Sequence, residues 1–475
     1  MNLPPGMPIP AEDWEKTPPS VQAVIVMIWR DNQTLKEQVE KLQERVNKNS
    51  QNSSKPPSSD VLFQKPKYLQ AEISGEKKGG RKGHHGHGRK LKAVEEVSKI
   101  VKSVPTVCKD CGTLLLGEDP EPERHQVSEL PKIVPEIVEY QRHTLKCSVC
   151  GTRNRAEWPA EMPTGSFGER LQGLIGYLSG RFGVSQRDMA EMLGTVFQVE
   201  IGLGSIPAQE QRVSQALKQP VEVAQKYVQT QKAVNLDETG WHEFSENAWL
   251  WVCTTPSVTV FRIFRDRSAS GAEKLLGDHY TGTVGSDRYS AYNWLDPLYR
   301  QVCWAHLKRD FQAWVERGGE SAVIGRMLLA RFKQIFGFWH RVRDGTLSRV
   351  DFQTLMQPIR DEVIGLLDIG TLLGHRETRR TCLNILKVKQ ALWTFVDQEG
   401  VEPTNNAAER ALRRGVIWRR HSYGTQSANG SLFVERILTA VMTLRQQKRD
   451  VLDYLAAACK AVTLGIPAPS LLPTV

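Results

Sequence analysis

The chain has 475 residues, too many for one ordinary core, so about two to four modules are expected. Hydrophobic residues make up 40% and charged residues 24%, which excludes a wholly disordered chain. The net charge of +10 favours a polyanionic partner, with nucleic acid ahead of membrane.

No charged, cleavable apolar leader opens the sequence, and the longest early apolar run, Ala23 to Trp29, is too short to span a bilayer. A cytoplasmic protein without membrane association is therefore expected. Residues 1–20 are Pro-rich and read as unstructured. Residues 21–48 carry a heptad, with Ile25, Asn32, Val39 and Val46 at a, and Val21, Ile28, Leu35 and Leu42 at d. Branched residues at a with one polar Asn favour a parallel two-stranded coiled coil, hence a homo-oligomer. An amphipathic helix packed on its own domain is the plainer alternative.

Residues 49–103 read as a basic linker rich in Ser, Pro, Gly and Lys. Within residues 65–92 nine Lys or Arg face two Glu, and His84, His85 and His87 are added. A mobile, charged arm of this kind suits phosphate tracking, which makes Arg81, Lys82, Arg89 and Lys90 candidate DNA contacts. A soluble spacer would have the same composition.

Residues 104–152 hold two C-x-x-C pairs, Cys108/Cys111 and Cys147/Cys150, followed by Gly112 and Gly151. Four thiolates make a closed tetrahedral site, so structural Zn²⁺ is expected on these cysteines. The stretches His125–Leu130 and Glu136–Lys146 alternate like strands of a zinc ribbon. His125 and His143 read as strand residues rather than ligands. Cys253, Cys303, Cys382 and Cys459 are scattered and read as buried thiols.

Residues 165–230 read as helices: one before a break at Gly183, a second capped by Ser185 with Asp188 three residues on, and a third opened by Ser205 and Pro207. The pattern fits a DNA-reading helix-turn-helix and a helical spacer equally.

From Ala233 the periodicity changes. Ala233–Asp237, Ala248–Thr255 and Val258–Arg265 read as strands, followed by a helix at Ser268–Leu276 and strands at Gly282–Asp287 and Arg300–Trp304. That order is the one found in a ribonuclease H-like α/β core, in which the first and fourth strands are neighbours. The helical segments Ala322–Arg343, Val350–Leu367 and Glu377–Val396 read as an insertion over about 312–400. The core thus spans 231–425, with C-terminal helices over 426–475. The whole is a multidomain α+β chain.

Three carboxylates stand out in this half. Asp237 and Asp287 each end an apolar run, and Glu409 sits one turn into a helix that Thr404, Asn405 or Asn406 could cap. Hard oxygen ligands brought from two strand ends and a helix are what two Mg²⁺ ions need for phosphodiester chemistry, which points to a polynucleotidyl transferase.

Read together, LDETGW, SDRYSAY, CWAHLKRDF and PTNNAAERALRR, with NSSKPPSSD, GRKGHHGHGRK and the cysteine pairs, make the chain resemble the DDE transposases of the insertion-sequence-66 family of bacterial mobile elements. The resemblance runs over essentially the whole length. It implies that Asp237, Asp287 and Glu409 hold two Mg²⁺ or Mn²⁺ ions for DNA strand cleavage and transfer of the freed 3′-hydroxyl into target DNA.

It also implies double-stranded DNA, at the element ends and the target, as partner, an association with the bacterial nucleoid, and companion proteins from the same element. His306 becomes a candidate for touching the scissile phosphate or orienting a metal-bound water, or else a buried structural histidine. Arg410, Arg413 and Arg414 become candidate phosphate clamps, or a solvated basic face. Trp241, Trp249, Trp251, Trp304 and Trp418 read as core. Two rival readings stand beside it: a catalytically silent DNA-binding remnant, and a nuclease of the same fold that cuts without joining.

Overall fold

A computed structural model describes residues 2–48, 53–54, 90–163, 165–277 and 279–473. Arg81, Lys82, Arg89, the three histidines at 84, 85 and 87, and most of the NSSKPPSSD run lie outside the described residues.

Where the sequence reads as unstructured, Ala11–Glu15 forms a short helix, α1. Its Trp14 is buried, and Gln22 Nε2 donates to the Trp14 backbone O at 2.7 Å, which ties the segment to the next helix. That helix, α2 (Pro19–Asn47), begins with Pro at its first position, where a missing N–H costs nothing. Its 29 residues give a rod of about 44 Å. The heptad residues Val21, Ile28, Leu35, Val39, Leu42 and Val46 are all exposed on the single chain.

Residues 90–163 depart from the expected ribbon. Only β1 (Thr144–Lys146) and β2 (Arg153–Arg155) pair, antiparallel with Thr144 opposite Arg155, and Val107 bridges Leu114. His125–Leu130 forms no strand, and Glu136–Lys146 does so only in its last three residues. Val127, Leu130 and Ile137 there are more than three-quarters exposed. Alternation specifies a strand only where a second strand or a core face receives it.

The helical segment follows its expected order. α3 (Glu169–Tyr177) continues as a wider π turn over Leu178–Phe182 and stops at Gly183, whose φ of +67° suits a residue without Cβ. Ser185 Oγ caps α4 (Gln186–Phe197) by accepting from Asp188 N–H at 3.2 Å. With α5 (Ser205–Gln229) these helices enclose Ile175, Met189, Leu193 and Ile206.

The sheet has five strands. β3 (Ala233–Glu243), β4 (Glu246–Thr254) and β5 (Thr259–Phe264) form an antiparallel meander. After α6 (Ala269–Leu276), β6 (Thr283–Ser286) and β7 (Arg300–Val302) add parallel to β3, giving the order β5-β4-β3-β6-β7. β3 does not end at Asp237 as its apolar run suggests. It continues six residues against β4, while its pairing with β6 stops at Asn235.

Strand periodicity sorts the core into two layers. On β4, Trp251 and Cys253 face α5 and α6, while Ala248, Leu250 and Val252 face the opposite side with Phe261. On β3, Val234 and Leu236 join the first layer and Trp241 the second. Asp237 therefore shares a face with Trp241, and Glu238 lies on the other.

Beyond β7, α7 (Trp304–Arg317), α8 (Gly319–Arg343), α9 (Arg349–Gly370) and α10 (Arg376–Leu386) build a helical body with its own core, including Trp314, Leu328, Phe352 and Ile385. The single helix expected over Glu377–Val396 is broken: α10 is followed by a 3-10 turn at Lys389–Leu392 and a short α11 (Thr394–Asp397). Edge strand β7 captures this stretch: Gln301 Oε1 accepts Phe395 N–H at 2.8 Å and Arg300 O accepts Thr394 Oγ1 at 2.6 Å.

α12 (Asn406–Ser422) then crosses the second face of the sheet through Ala408, Ala411 and Leu412. α13 (Ala428–Gln446) covers the other edge. On one face of it, four residues apart, Glu435, Thr439 and Thr443 accept the N–H groups of Ile263, Phe261 and Thr259 at 2.8, 3.0 and 3.0 Å. An edge strand that would otherwise invite pairing is closed by side chains. α14 (Val451–Leu464) completes the first layer. Among the described residues no helix is long and apolar enough to cross a membrane.

Candidate active site

Three elements converge where β6 ends. Asp237 comes from β3, just past the last residue paired with β6. Asp287 is the residue that follows β6, and Glu409 lies in the first turn of α12. Burial first, then the charges of Glu238, Asp287 and Glu409, hold the Asp237 carboxyl well above the usual carboxylate range. The three predicted carboxylates thus share one electrostatic environment.

Each aspartate accepts a backbone N–H close by in sequence. Asp237 Oδ1 accepts Glu238 N–H at 3.0 Å, and Asp287 Oδ1 accepts Tyr289 N–H at 2.9 Å. Arg300, only 1% exposed, donates to Asp287 O at 2.7 Å, to Tyr292 O at 3.0 Å and to Ser286 Oγ at 3.2 Å. Burial lowers the Arg300 guanidinium to about 10, still cationic at neutral pH, so a buried positive charge anchors the turn that carries Asp287.

Glu409 is fixed through the start of its helix. Asn405 is the N-cap residue, yet its side chain caps no helix N–H, against the capping expected. Instead Asn405 Nδ2 donates to Leu236 O at 2.7 Å, and its own N–H donates to Cys303 Sγ at 3.2 Å. Trp304 N–H donates to Pro403 O at 3.0 Å, so the N-termini of α7 and α12 are tied together beside β3.

His306 lies one turn into α7, with Nδ1 3.6 Å from Glu409 Oε1. Both atoms are buried and neither has a hydrogen-bond partner. Burial, then the charge of Arg309, pushes the His306 imidazole below its ordinary value, which keeps it neutral at pH 7. Arg410 and Arg413 are exposed on α12. Arg414 is not free in the same way: its Nε donates to Gly180 O at 3.2 Å, beside the π turn after α3. Lys90 is exposed. Trp241, Trp251 and Trp304 are buried, and Trp249 and Trp418 are partly so.

Sequence reasoning missed Glu238, Tyr292, Arg300 and the strand tie of Asn405. Glu238, on the opposite face from Asp237, is buried with Arg267 Nε at 2.9 Å and the Tyr292 hydroxyl donating to it. The available signals were a charge inside the apolar run around Arg300 and two adjacent acids on a strand, which must face opposite ways.

The donor set of Asp237, Asp287 and Glu409 is hard oxygen, and Glu409 Oε1 is a buried acceptor without a partner. These residues fit divalent cations of the Mg²⁺ type.

The cysteine pairs form two knuckles of one design. Cys108 N–H donates to Thr113 O at 2.8 Å and Gly112 N–H to Cys108 O at 3.0 Å. Cys147 with Thr152, and Gly151 with Cys147, repeat both distances. Gly112 and Gly151 have φ of +71° and +72°, the turn a residue with Cβ resists. Hydrogen bonds from Thr113 and Thr152 lower the Cys111 and Cys150 thiols to about 7. Soft, easily ionised thiols on such turns fit zinc. Each knuckle brings two sulfurs together. Among the described residues, the one group of three or more His, Cys, Asp or Glu with ligand atoms within 4.8 Å of one another is Cys303, His306 and Glu409.

Residues 165–432 match the model of the Transposase IS66 family, and residues 105–151 match the zinc-finger binding domain of transposase IS66. Residues 11–90 match a family of unknown function. Two relatives are uncharacterized proteins of Sinorhizobium fredii (strain NBRC 101917 / NGR234). The chain is 25% identical to y4qI over 46% of its own length and 45% of that protein. It is 22% identical to y4hP over 76% of its length and 71% of that protein. The chain thus spans less than half of y4qI. Since one transposase model takes in more than half of the sequence, and the cysteine knuckles fall inside the matching zinc finger, this chain belongs to the IS66 transposase family.

Proposed function

We propose that this chain is a DDE transposase whose ribonuclease H-like core cuts DNA at element ends and joins the freed 3′ ends to target DNA, with Asp237, Asp287 and Glu409 as its cation-binding carboxylates. One observation carries the reading. The β3–β6 pairing and the Asn405 tie to Leu236 support bringing Asp237, Asp287 and Glu409 to one place, in keeping with the Asp237 carboxyl being raised by burial and by those acids. A fold tolerates such a cluster where bound cations relieve it.

When bound, two Mg²⁺ or Mn²⁺ ions would supply activation of an oxygen nucleophile and stabilisation of the leaving oxygen. The residues supply placement. Arg300 fixes the Asp287 turn, Asn405 fixes α12 against β3, and neutral His306 stands beside Glu409, within reach of a phosphate or a water at that site. Arg410 and Arg413 offer exposed guanidinium groups to phosphate oxygens, and Lys90 offers an exposed ammonium on the arm whose sequence also holds Arg81, Lys82 and Arg89.

In cleavage, a water oxygen bonds to phosphorus and the P–O3′ bond breaks, leaving a 3′-hydroxyl and a 5′-phosphate. In joining, that hydroxyl attacks a target phosphorus and displaces the target's 3′-oxygen. Joining exchanges one phosphodiester for another, so no nucleoside triphosphate is needed.

The cysteine knuckles would hold structural Zn²⁺ through Cys108, Cys111, Cys147 and Cys150. The exposed heptad seam of α2 supports pairing of two copies as a coiled coil, as two DNA ends require. Companion proteins of the same element belong to this reading.

The test is Mg²⁺-dependent cleavage and joining on DNA carrying the gene's own flanking repeats, with Asp287→Asn beside the wild type. Joined 3′ ends lost in the variant support the transposase reading. Cleavage without joining replaces it with a nuclease, and cleavage retained by Asp287→Asn removes the carboxylate assignment.

A further inference from the structure

We propose that Cys303, His306 and Glu409 form a binding site for a thiophilic divalent cation, Zn²⁺ foremost, and that its occupancy draws Glu409 away from Asp237 and Asp287 and silences strand cleavage. The second half rests on the reading of Glu409 as a cation-binding carboxylate.

The site is built from two helix starts. Cys303 is the N-cap residue of α7 and His306 lies three residues on, so the C-x-x-H spacing sets both on one side of its first turn. Glu409 reaches them from the first turn of α12, which the Trp304–Pro403 and Asn405–Cys303 hydrogen bonds hold in place. One ligand atom from each residue lies within 4.8 Å of the other two.

Two of those side chains carry a need that the protein leaves unmet. His306 Nδ1 and Glu409 Oε1 are buried, unbonded and 3.6 Å apart. That is too long for a good hydrogen bond. Tetrahedral Zn²⁺ holds a nitrogen and a carboxylate oxygen about 3.4 Å apart. Asp237 and Asp287 do not join this tight group. The donors also sort by softness: the carboxylate site is all oxygen, and this one is sulfur, nitrogen and oxygen, which selects zinc over magnesium. On binding, the Cys303 S–H proton passes to solvent as the sulfur–metal bond forms, and no electron moves.

The experiment uses the full chain loaded with one equivalent of Zn²⁺ for its knuckles and freed of excess zinc, followed by titration with Co²⁺. A thiolate-to-cobalt charge-transfer band should appear in the wild type and be absent from Cys303→Ser, a variant that keeps an acceptor for the Asn405 N–H. His306→Gln should keep the band and need about tenfold more Co²⁺, the scale for one lost metal interaction. In Mg²⁺-supported cleavage, added Zn²⁺ should inhibit the wild type at concentrations at least about tenfold below those that inhibit Cys303→Ser.

A wild type with no band, or a band that Cys303→Ser retains, overturns the site. A Cys303-dependent band with cleavage undiminished at saturating Zn²⁺ overturns the silencing. A chain that cuts no DNA under any metal, even with the element's companion proteins added, defeats the active-site reading, while the cobalt band still decides the binding site on its own.

Discussion

Asn405 Nδ2 donates to Leu236 O at 2.7 Å, one residue before Asp237 and four before Glu409. The bond links the strand bearing one acid to the helix bearing another, and it is buried: Asn405 is 1% exposed. Asn405→Ala leaves the Leu236 carbonyl without a partner, a loss of about 1–3 kcal/mol in urea unfolding. Cleavage should fall further than the folded fraction does, because α12 is then free to shift against β3. Wild-type cleavage by a folded Asn405→Ala protein would show that the tie does not position Glu409.

Sequence and structure agree where apolar runs with period two end at a charge. That pattern found all five strands of the larger sheet and ended the fourth at Asp287, which the structure sets one residue past β6. It truncated β3, because Thr239, Gly240 and His242 look like turn residues, although they pair with Leu250, Trp249 and Asn247 of β4. It could not show Arg300, whose role depends on three oxygens brought together by the fold. Glu409 was legible as a helix residue, but its strand tie was not, since Asn405 reads as a cap and acts across 169 residues instead.

Burial, followed by Glu238, Asp287 and Glu409, raises Asp237 in the folded protein. The folded chain then keeps this proton to higher pH than the unfolded chain does. The group costs nothing below its unfolded value of about 3.9, and destabilises progressively as pH rises from there through the folded value. The penalty grows by about 1.4 kcal/mol for each pH unit that this window spans. Asp237→Asn should therefore raise the Tm of the metal-free protein at pH 7 while abolishing cleavage. Mg²⁺ should raise the Tm of the wild type more than that of the variant. A lower Tm for metal-free Asp237→Asn would contradict the account.

The Thr439 hydroxyl accepts Phe261 N–H at 3.0 Å and donates to Glu435 O at 2.7 Å, closing the β5 edge. Thr439→Val keeps the shape and strands a buried N–H, so about 1–3 kcal/mol should be lost in denaturant unfolding. Thr439→Ser should recover most of it. Equal stability for the Val and Ser variants would mean that packing, not the hydroxyl, closes the edge.

The two knuckles give a metal-removal experiment with a chemical readout. Thr113 and Thr152 lower the thiols of Cys111 and Cys150 to about 7. After chelation, iodoacetamide at pH 7 should label these two cysteines first, ahead of the buried Cys253, whose thiol burial raises far above its ordinary value. Zn²⁺ should protect both. Labelling of Cys111 and Cys150 that zinc does not slow would separate the knuckles from metal binding.

On α2 the d residues Ile28, Leu35 and Leu42 are all more than half exposed, and so is Val46 at a. In the coiled coil proposed above, a second copy would supply the face that matches this apolar stripe on a rod of 29 residues. The single polar a residue, Asn32, would then pair with itself and favour a parallel dimer. Asn32→Val should lift that restriction and give larger species in light scattering. Leu35→Glu with Leu42→Glu should give monomers, because like charges would face each other across the seam. A wild-type chain that is monomeric at micromolar concentration, with both variants unchanged, would return α2 to the role of a packed amphipathic helix and leave DNA-end pairing to another surface.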